Sequence, residues 1–246
     1  MRVYVALAVI ALVAGYSAIF LSGGEDLEFA ELASPAGFRA LVLGGGLSRV
    51  DAMLGSLQNT PPAGRGSVQD LCNGLLRDVG SPALSGPVDG ITIVEFFDYR
   101  CPYCKKLTKI ISQLHAERGV RVIYKEWPIL GESSKLAARA ALAAGKQNRY
   151  HEYHSLLMGA GFVPTPAYLE DLGVRLGLDL ARWRQDMQSV ETSSALGRTA
   201  ALASTLGLSG TPALVVGHTI VQGAITRDQL EHLIDNEMSM PQAQVC

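Results

Sequence analysis

The sequence predicts an α/β fold in which a small sheet is interrupted by a helical insertion, preceded by an N-terminal membrane anchor or signal segment. Three observations carry this. The strand-like run Ile91–Phe97 delivers the pair Cys101 and Cys104 to the start of an amphipathic helix; a block from about 133 to 206 reads as almost wholly helical; and short apolar runs at Ala213–Val216 and Ile220–Gln222 resume the strand pattern. With 246 residues, 48% of them hydrophobic, the chain can bury one good core but hardly two full domains. A net charge of -2 leaves no basic footprint, which excludes nucleic acid as the main partner.

In chain order, Val3–Leu21 is a 19-residue apolar run preceded by Arg2 and followed by acidic Glu25-Asp26. Its length spans a bilayer, and the charge asymmetry sets the amino terminus in the cytoplasm with the remainder exported. An uncleaved anchor is favoured over a signal peptide, because Tyr16-Ser17-Ala18 offers Tyr where a cleavage site wants a small residue. Residues 1–22 are thus assigned to this segment, and 23–67 to a helical stalk and linker. In the stalk, Phe38, Leu41 and Val42 look helical, and Leu47, Val50, Met53, Leu54 and Leu57 form a second stripe beyond Gly44-Gly45-Gly46. That glycine run has no following Lys-Ser/Thr and no preceding strand, so it is a poor phosphate loop. Asn59–Ser67, with two prolines and two glycines, marks the domain boundary, and the catalytic domain is assigned to 68–246.

Val68–Val79 reads as a short helix holding Cys72. In an exported chain Cys72 and Cys246 are expected to pair as a structural clamp, with an intermolecular bridge or two free thiols as the alternatives. The strand that follows puts Glu95 on the face of Ile91, Ile93 and Phe97, where a carboxyl is desolvated and holds its proton more tightly. Leu107, Ile110, Ile111 and Leu114 then recur at helical spacing from Pro102 to about Arg118, closed by Gly119. Pro102 suits the first turn, so Cys101 meets the free N–H groups and positive end of the helix dipole, which stabilise a thiolate. Cys104, one turn further in, is placed to resolve a mixed disulfide. Zinc would need a second pair of ligands at similar spacing; Cys72, Cys246 and the histidines do not supply one, so no metal and no cofactor is expected.

The next strand, Val120–Tyr124, ends in Lys125, a candidate partner for Glu95 or a solvated side chain. Ser133 is the expected cap of the helical block, whose later helices start near Tyr150, Tyr168, Leu180 and Val190. His151 and His154, one turn apart, have no third ligand and read as a solvated face. Pro212 at the mouth of a strand cannot donate to the ladder and so needs a special reason. Gly217-His218 turns a hairpin, and Thr226 with Gln229 is spaced as the capping box of a closing helix.

Val94–Cys104, the later Gly210-Thr211-Pro212 and the helical block between them resemble thioredoxin-fold proteins of the DsbA type, over about residues 68–238. The resemblance implies a thioredoxin-like fold with an inserted helical subdomain that flanks the dithiol. It implies catalysis by Cys101 and Cys104, with Glu95 passing a proton to the second cysteine. It also implies substrate contacts at Pro102, Tyr103, Thr211 and Pro212, the last behind a cis bond.

By the same resemblance the chain is a thiol:disulfide oxidoreductase on the periplasmic side of a bacterial inner membrane. Its partners are exported client proteins bearing thiols or disulfides, the membrane itself through the N-terminal segment, and a membrane redox partner. An oxidase served by a quinone-linked reoxidase is the leading expectation. Two departures limit it: Pro102-Tyr103 stands where DsbA has Pro-His, and Thr211 where DsbA has Val, and Thr there looks more like the isomerase branch or copper-tolerance relatives, which are kept reduced by a membrane reductase. A periplasmic chaperone or assembly factor is the alternative from another class.

Overall fold

The structure, a computed structural model, describes residues 27–43, 67–87 and 90–240. The apolar run at 3–21, the stripe at 47–57, most of the linker and Cys246 lie outside the described residues. Among those described, no helix is long and apolar enough to cross a membrane.

The strands are β1 (Glu28–Glu31), β2 (Arg39–Val42), β3 (Ala83–Leu84), β4 (Thr92–Phe97), β5 (Arg121–Glu126), β6 (Ala213–Val216) and β7 (Thr219–Gln222). They form one mixed sheet in the order β1-β2-β7-β6-β4-β5-β3. The helices are α1 (Val68–Leu76), α2 (Pro102–Arg118), α3 (Glu132–Gly145), α4 (Tyr150–Gly159), α5 (Pro166–Arg175), α6 (Leu180–Met187), α7 (Val190–Thr205) and α8 (Arg227–Ser239). Helices α3 to α7 all lie between β5 and β6, so the inserted helical subdomain is present.

Central β4 is parallel to β5 and antiparallel to β6, and its pleat divides the core. Ile93 and Phe97 point into one layer with the inner face of α2, the alanines of α3 and Leu230, Leu233 and Ile234 of α8. Val94 and Phe96 point into the other, with Leu71 and Leu75 of α1 and Leu202, Ala203 and Leu206 of α7. Because both faces are covered, the central strands are mostly apolar, and the exceptions Glu95, Lys125 and Glu126 are buried.

The stalk reading is corrected for residues 28–42. Phe38, Leu41 and Val42 are not helical: β1 and β2 form an antiparallel hairpin, and Arg39 and Ala40 pair in parallel with Thr219 and Ile220 of β7. Phe38 and Ala40 are buried in one layer and Leu41 in the other, so the segment lacks the alternation that marks a half-buried strand. Arg39 fastens this hairpin to α8, reaching Glu237 at 2.8 Å and Thr219 at 2.7 Å, with its guanidinium 3.6 Å from the centre of the Phe29 ring. Glu237 also accepts from the His218 backbone and lies 2.8 Å from its Nδ1. At Gly217, with φ 57, a Cβ would meet the Glu237 carboxylate at 2.1 Å, so this tight turn requires glycine.

Local signals hold elsewhere. Thr226 and Gln229 form the capping box of α8, and Ser67 and Asp70 form another at α1. Ser133 is not a cap: the cap lies two residues earlier, at Gly131 with φ 108, a conformation glycine tolerates. Cys72, buried in α1, is disulfide-bonded.

Candidate active site

The dithiol stands where β4 ends. Asp98 is buried and caps the turn after β4, accepting from the backbone N–H of Arg100 at 2.7 Å, from that of Leu130 at 2.9 Å and from the Ser134 hydroxyl at 2.8 Å. The Cys101 N–H bonds to the Asp98 carbonyl at 3.0 Å, which sets Cys101 as the N-cap of α2. Its Sγ accepts from the Cys104 N–H at 3.2 Å, in the manner of a capping Ser or Thr, and Pro102 fills the first helical position.

These contacts separate the two thiols. The Cys104 side chain donates to Cys101 and, with the Cys104 N–H, brings the Cys101 pKa down from 9.0 to about 6 against the opposing effect of burial. Burial, and then its proton's engagement with Cys101, pushes Cys104 far upward. Cys101 is therefore the thiolate at neutral pH and Cys104 the thiol.

The Thr211–Pro212 bond is cis, and the Thr211 carbonyl lies 3.4 Å from Cys101 Sγ. The predicted loop thus faces the dithiol. The Thr211 hydroxyl is buried beside both sulfurs, where it helps to lower their pKa values. Tyr103 is 60% exposed beside the cysteines. Two neighbouring loops continue an apolar rim: Ile129 and Leu130 are exposed in a loop tied to Arg100 through the Leu130 carbonyl, and Phe162 and Val163 follow Ala160, whose carbonyl receives Lys105 Nζ.

Glu95 is fully buried beneath α2. Burial raises its pKa from 4.5 to about 8, partly offset by the Thr108 hydroxyl, which donates to Oε1 at 2.6 Å; its Oε2 has no partner. Thr108 is one turn beyond Cys104 on the buried face of α2, so Glu95 sits under the resolving thiol. Thr108 was legible only as a lone hydroxyl within an apolar stripe.

Lys125 does not pair with Glu95. The β4–β5 register sets Tyr124 beside Glu95 and Lys125 beside Phe96, on the opposite face of the sheet. There Lys125, 1% exposed, donates to the Gly74 carbonyl and the Ser81 hydroxyl, each at 2.6 Å, with Asp78 at 3.4 Å.

The solvated reading of the His151–His154 face is also corrected. His154 is buried among the rings of Phe97, Tyr99, Tyr124 and Tyr150, with Nδ1 3.0 Å from the Tyr99 hydroxyl. His151 is partly buried, with Nε2 3.2 Å from the Ala83 carbonyl. Among the described residues no group of three or more His, Cys, Asp or Glu is placed to hold a metal.

Residues 92–235 match the family described as "DSBA-like thioredoxin domain", which covers more than half of the chain. The chain belongs to that family. Among solved structures it is similar to a thioredoxin-like oxidoreductase from Silicibacter pomeroyi DSS-3, at 38% identity and TM-score 0.65 over 69% of this chain and 98% of that one. It is also similar to the catalytic domain of Proteus mirabilis ScsC, at 29% identity and TM-score 0.63 over 70% of this chain and 97% of the other. Wolbachia pipientis alpha-DsbA2, at 22% identity and TM-score 0.63 over 78% of this chain and 99% of that one, shares the fold. Among curated proteins, the Na(+)/H(+) antiporter NhaA 3 of Salinispora tropica is 30% identical over 129 residues, which is 51% of this chain but 20% of the antiporter. The match thus spans about a fifth of the length of that relative. Within this DSBA-like domain Cys101 and Cys104 are both free cysteines.

Proposed function

We propose that this DSBA-like protein is a dithiol oxidase that introduces disulfides into exported proteins on the periplasmic side of a bacterial inner membrane. The observation that carries this reading is the contrast between a stabilised Cys101 thiolate at the N-cap of α2 and a buried, protonated Cys104. A client thiolate attacks Cys101 of the Cys101–Cys104 disulfide and expels Cys104, which is protonated as it leaves. A second client thiolate then attacks the client sulfur of the mixed disulfide. The client disulfide forms, and Cys101 departs as a low-energy thiolate, which favours the reduced enzyme and makes it a strong oxidant. Glu95 is the proton donor and acceptor for Cys104. Thr211 and cis Pro212, with Pro102 and the exposed ring of Tyr103, meet the client backbone. Apolar Ile129, Leu130, Phe162 and Val163 suit a client that is not yet folded.

A membrane quinone-linked reoxidase restores the disulfide, and residues 1–22 hold the protein near it as an anchor or deliver it as a signal. Likeness to part of a membrane antiporter is in keeping with work at a membrane surface. Thr211 before the cis proline, where DsbA has Val, favours a second reading as an isomerase or reductase kept reduced by a membrane reductase.

The test is the reduction potential of the Cys101–Cys104 couple, by equilibration against glutathione. A value near about -120 mV supports disulfide donation, whereas about -180 mV or lower supports the isomerase or reductase. Full client-folding activity in a Cys101→Ala, Cys104→Ala variant would instead make the protein a chaperone.

A further inference from the structure

A second buried carboxyl lies on the dithiol side of the sheet and has no part in the scheme above. Glu126 closes β5 in register with Phe97, and the next residue's N–H bonds to the Phe97 carbonyl at 2.9 Å, so Glu126 stands beside the chain just before the active-site turn. Tyr99, two residues before Cys101, donates its hydroxyl to Glu126 Oε1 at 2.8 Å, and Tyr150 of α4 donates to the same oxygen at 2.9 Å. Oε2 is buried with no partner.

The Tyr99 oxygen also lies 3.0 Å from His154 Nδ1. Since Tyr99 spends its only hydrogen on Glu126, Nδ1 must be the donor here, and burial keeps the ring neutral, with a pKa near about 3. Nε2 is then a buried lone pair, also without a partner. The other ionisable groups facing the cluster are Glu95 on neighbouring β4, Asp98 with its three donors, Tyr124 and His151. None of them is a cation at neutral pH.

A lone carboxyl with an orphaned oxygen is a costly core residue, and an apolar side chain of similar size would cost less. It is tolerated here directly beneath the turn that carries the dithiol. We propose that Glu126, acting through Tyr99 and steadied by Tyr150 and His154, is a positioning residue whose charge state sets the reduction potential of the Cys101–Cys104 couple.

The electron balance shows how. The enzyme disulfide and a client dithiol yield a client disulfide, the Cys101 thiolate, the Cys104 thiol and one released proton. The new thiolate charge forms in a low-dielectric site. An ionised Glu126 opposes it, and a neutral one does not. Burial holds Glu126 protonated up to about pH 8, so the opposition begins above neutrality.

This inference rests on exchange activity at the dithiol, and the test separates the two. Full-length protein and the variants Glu126→Gln and Tyr150→Phe are equilibrated with glutathione between about pH 6 and pH 9. Gln keeps an acceptor for both hydroxyls and cannot ionise. The expected result is that the reduced fraction's equilibrium constant for Glu126→Gln matches wild type at pH 6 and exceeds it by about threefold or more at pH 9. Tyr150→Phe removes a donor to the carboxylate and moves the wild-type inflection to higher pH. If both variants follow the wild-type curve at every pH, Glu126 is a hydrogen-bonding hub only and the proposal fails. If the wild type never equilibrates with glutathione, the exchange reading fails and takes this proposal with it.

Discussion

Thr108→Val tests the proton path most directly. The change is nearly isosteric and removes the single donor that the Glu95 carboxyl has, the hydroxyl at 2.6 Å. A hydrogen bond to a charged group contributes about 1.5–3 kcal/mol, and one pKa unit corresponds to about 1.4 kcal/mol. Glu95, already at about 8, should therefore rise by about one to two units. At pH 7 its ionised fraction falls from roughly one in ten to roughly one in a hundred or fewer. Only the ionised form can take the proton of Cys104, whose own burial prevents spontaneous release. With Cys101 trapped as a mixed disulfide with glutathione, release of glutathione by Cys104 should slow by about 10- to 100-fold near neutrality and recover as pH is raised. Stopped-flow measurement across pH reads this. An unchanged rate and an unchanged pH midpoint would refute the assignment of Glu95 as the base for Cys104.

Three further outcomes follow from the same contacts. In the reduced protein the ultraviolet absorbance of the Cys101 thiolate should titrate near pH 6, and Cys104→Ala, which removes the largest stabilising contact, should raise that midpoint; an unmoved midpoint would show that the helix terminus alone holds the thiolate. Stability should fall as pH rises from about 4.5 to about 8, because the unfolded chain releases the protons of Glu95 and Glu126 while the folded chain still binds them. Urea midpoints at several pH values would detect this, and in a combined Glu95→Gln, Glu126→Gln variant the fall should vanish and leave the opposite slope of His154 and Cys101, whose pKa values folding lowers. Glu237→Ala strands Arg39 inside the protein and should cost about 3–5 kcal/mol in urea unfolding; a loss below about 1 kcal/mol would mean that the hairpin is held by apolar packing alone.

What was legible in the sequence is what depends on near neighbours. A β-rich run ending at Phe97 shortly before Cys101, a proline at the first helical position and a glycine at Gly119 specify the strand, the thiolate cap and the helix by local rules, and each is present in the fold. The same holds for the capping box of α8 and the helices of the insertion. What failed depends on partners far away in sequence. Arg39 and Ala40 become a strand because β7, about 180 residues later, offers them an edge, and burial on both faces erases the period that would have shown it. His154 looked solvated because nothing near it in sequence announces that Tyr99 and Phe97 will close over it.

Lys125 shows how narrow the margin is. Side chains alternate along a strand, so of the three residues Tyr124, Lys125 and Glu126 only the first and last can share the face of Glu95. The parallel register therefore delivers a phenol and a second carboxyl to the dithiol side and sends the ammonium to Asp78 behind the sheet. A slip of one residue would reverse this, placing a cation beneath α2, where it would draw the proton from Glu95 and favour the Cys101 thiolate still further. The two raised carboxyls under the dithiol thus follow from the pairing of β4 with β5 as much as from the residues themselves. That is why the redox character of this site should respond to a change at Glu126, which touches neither sulfur.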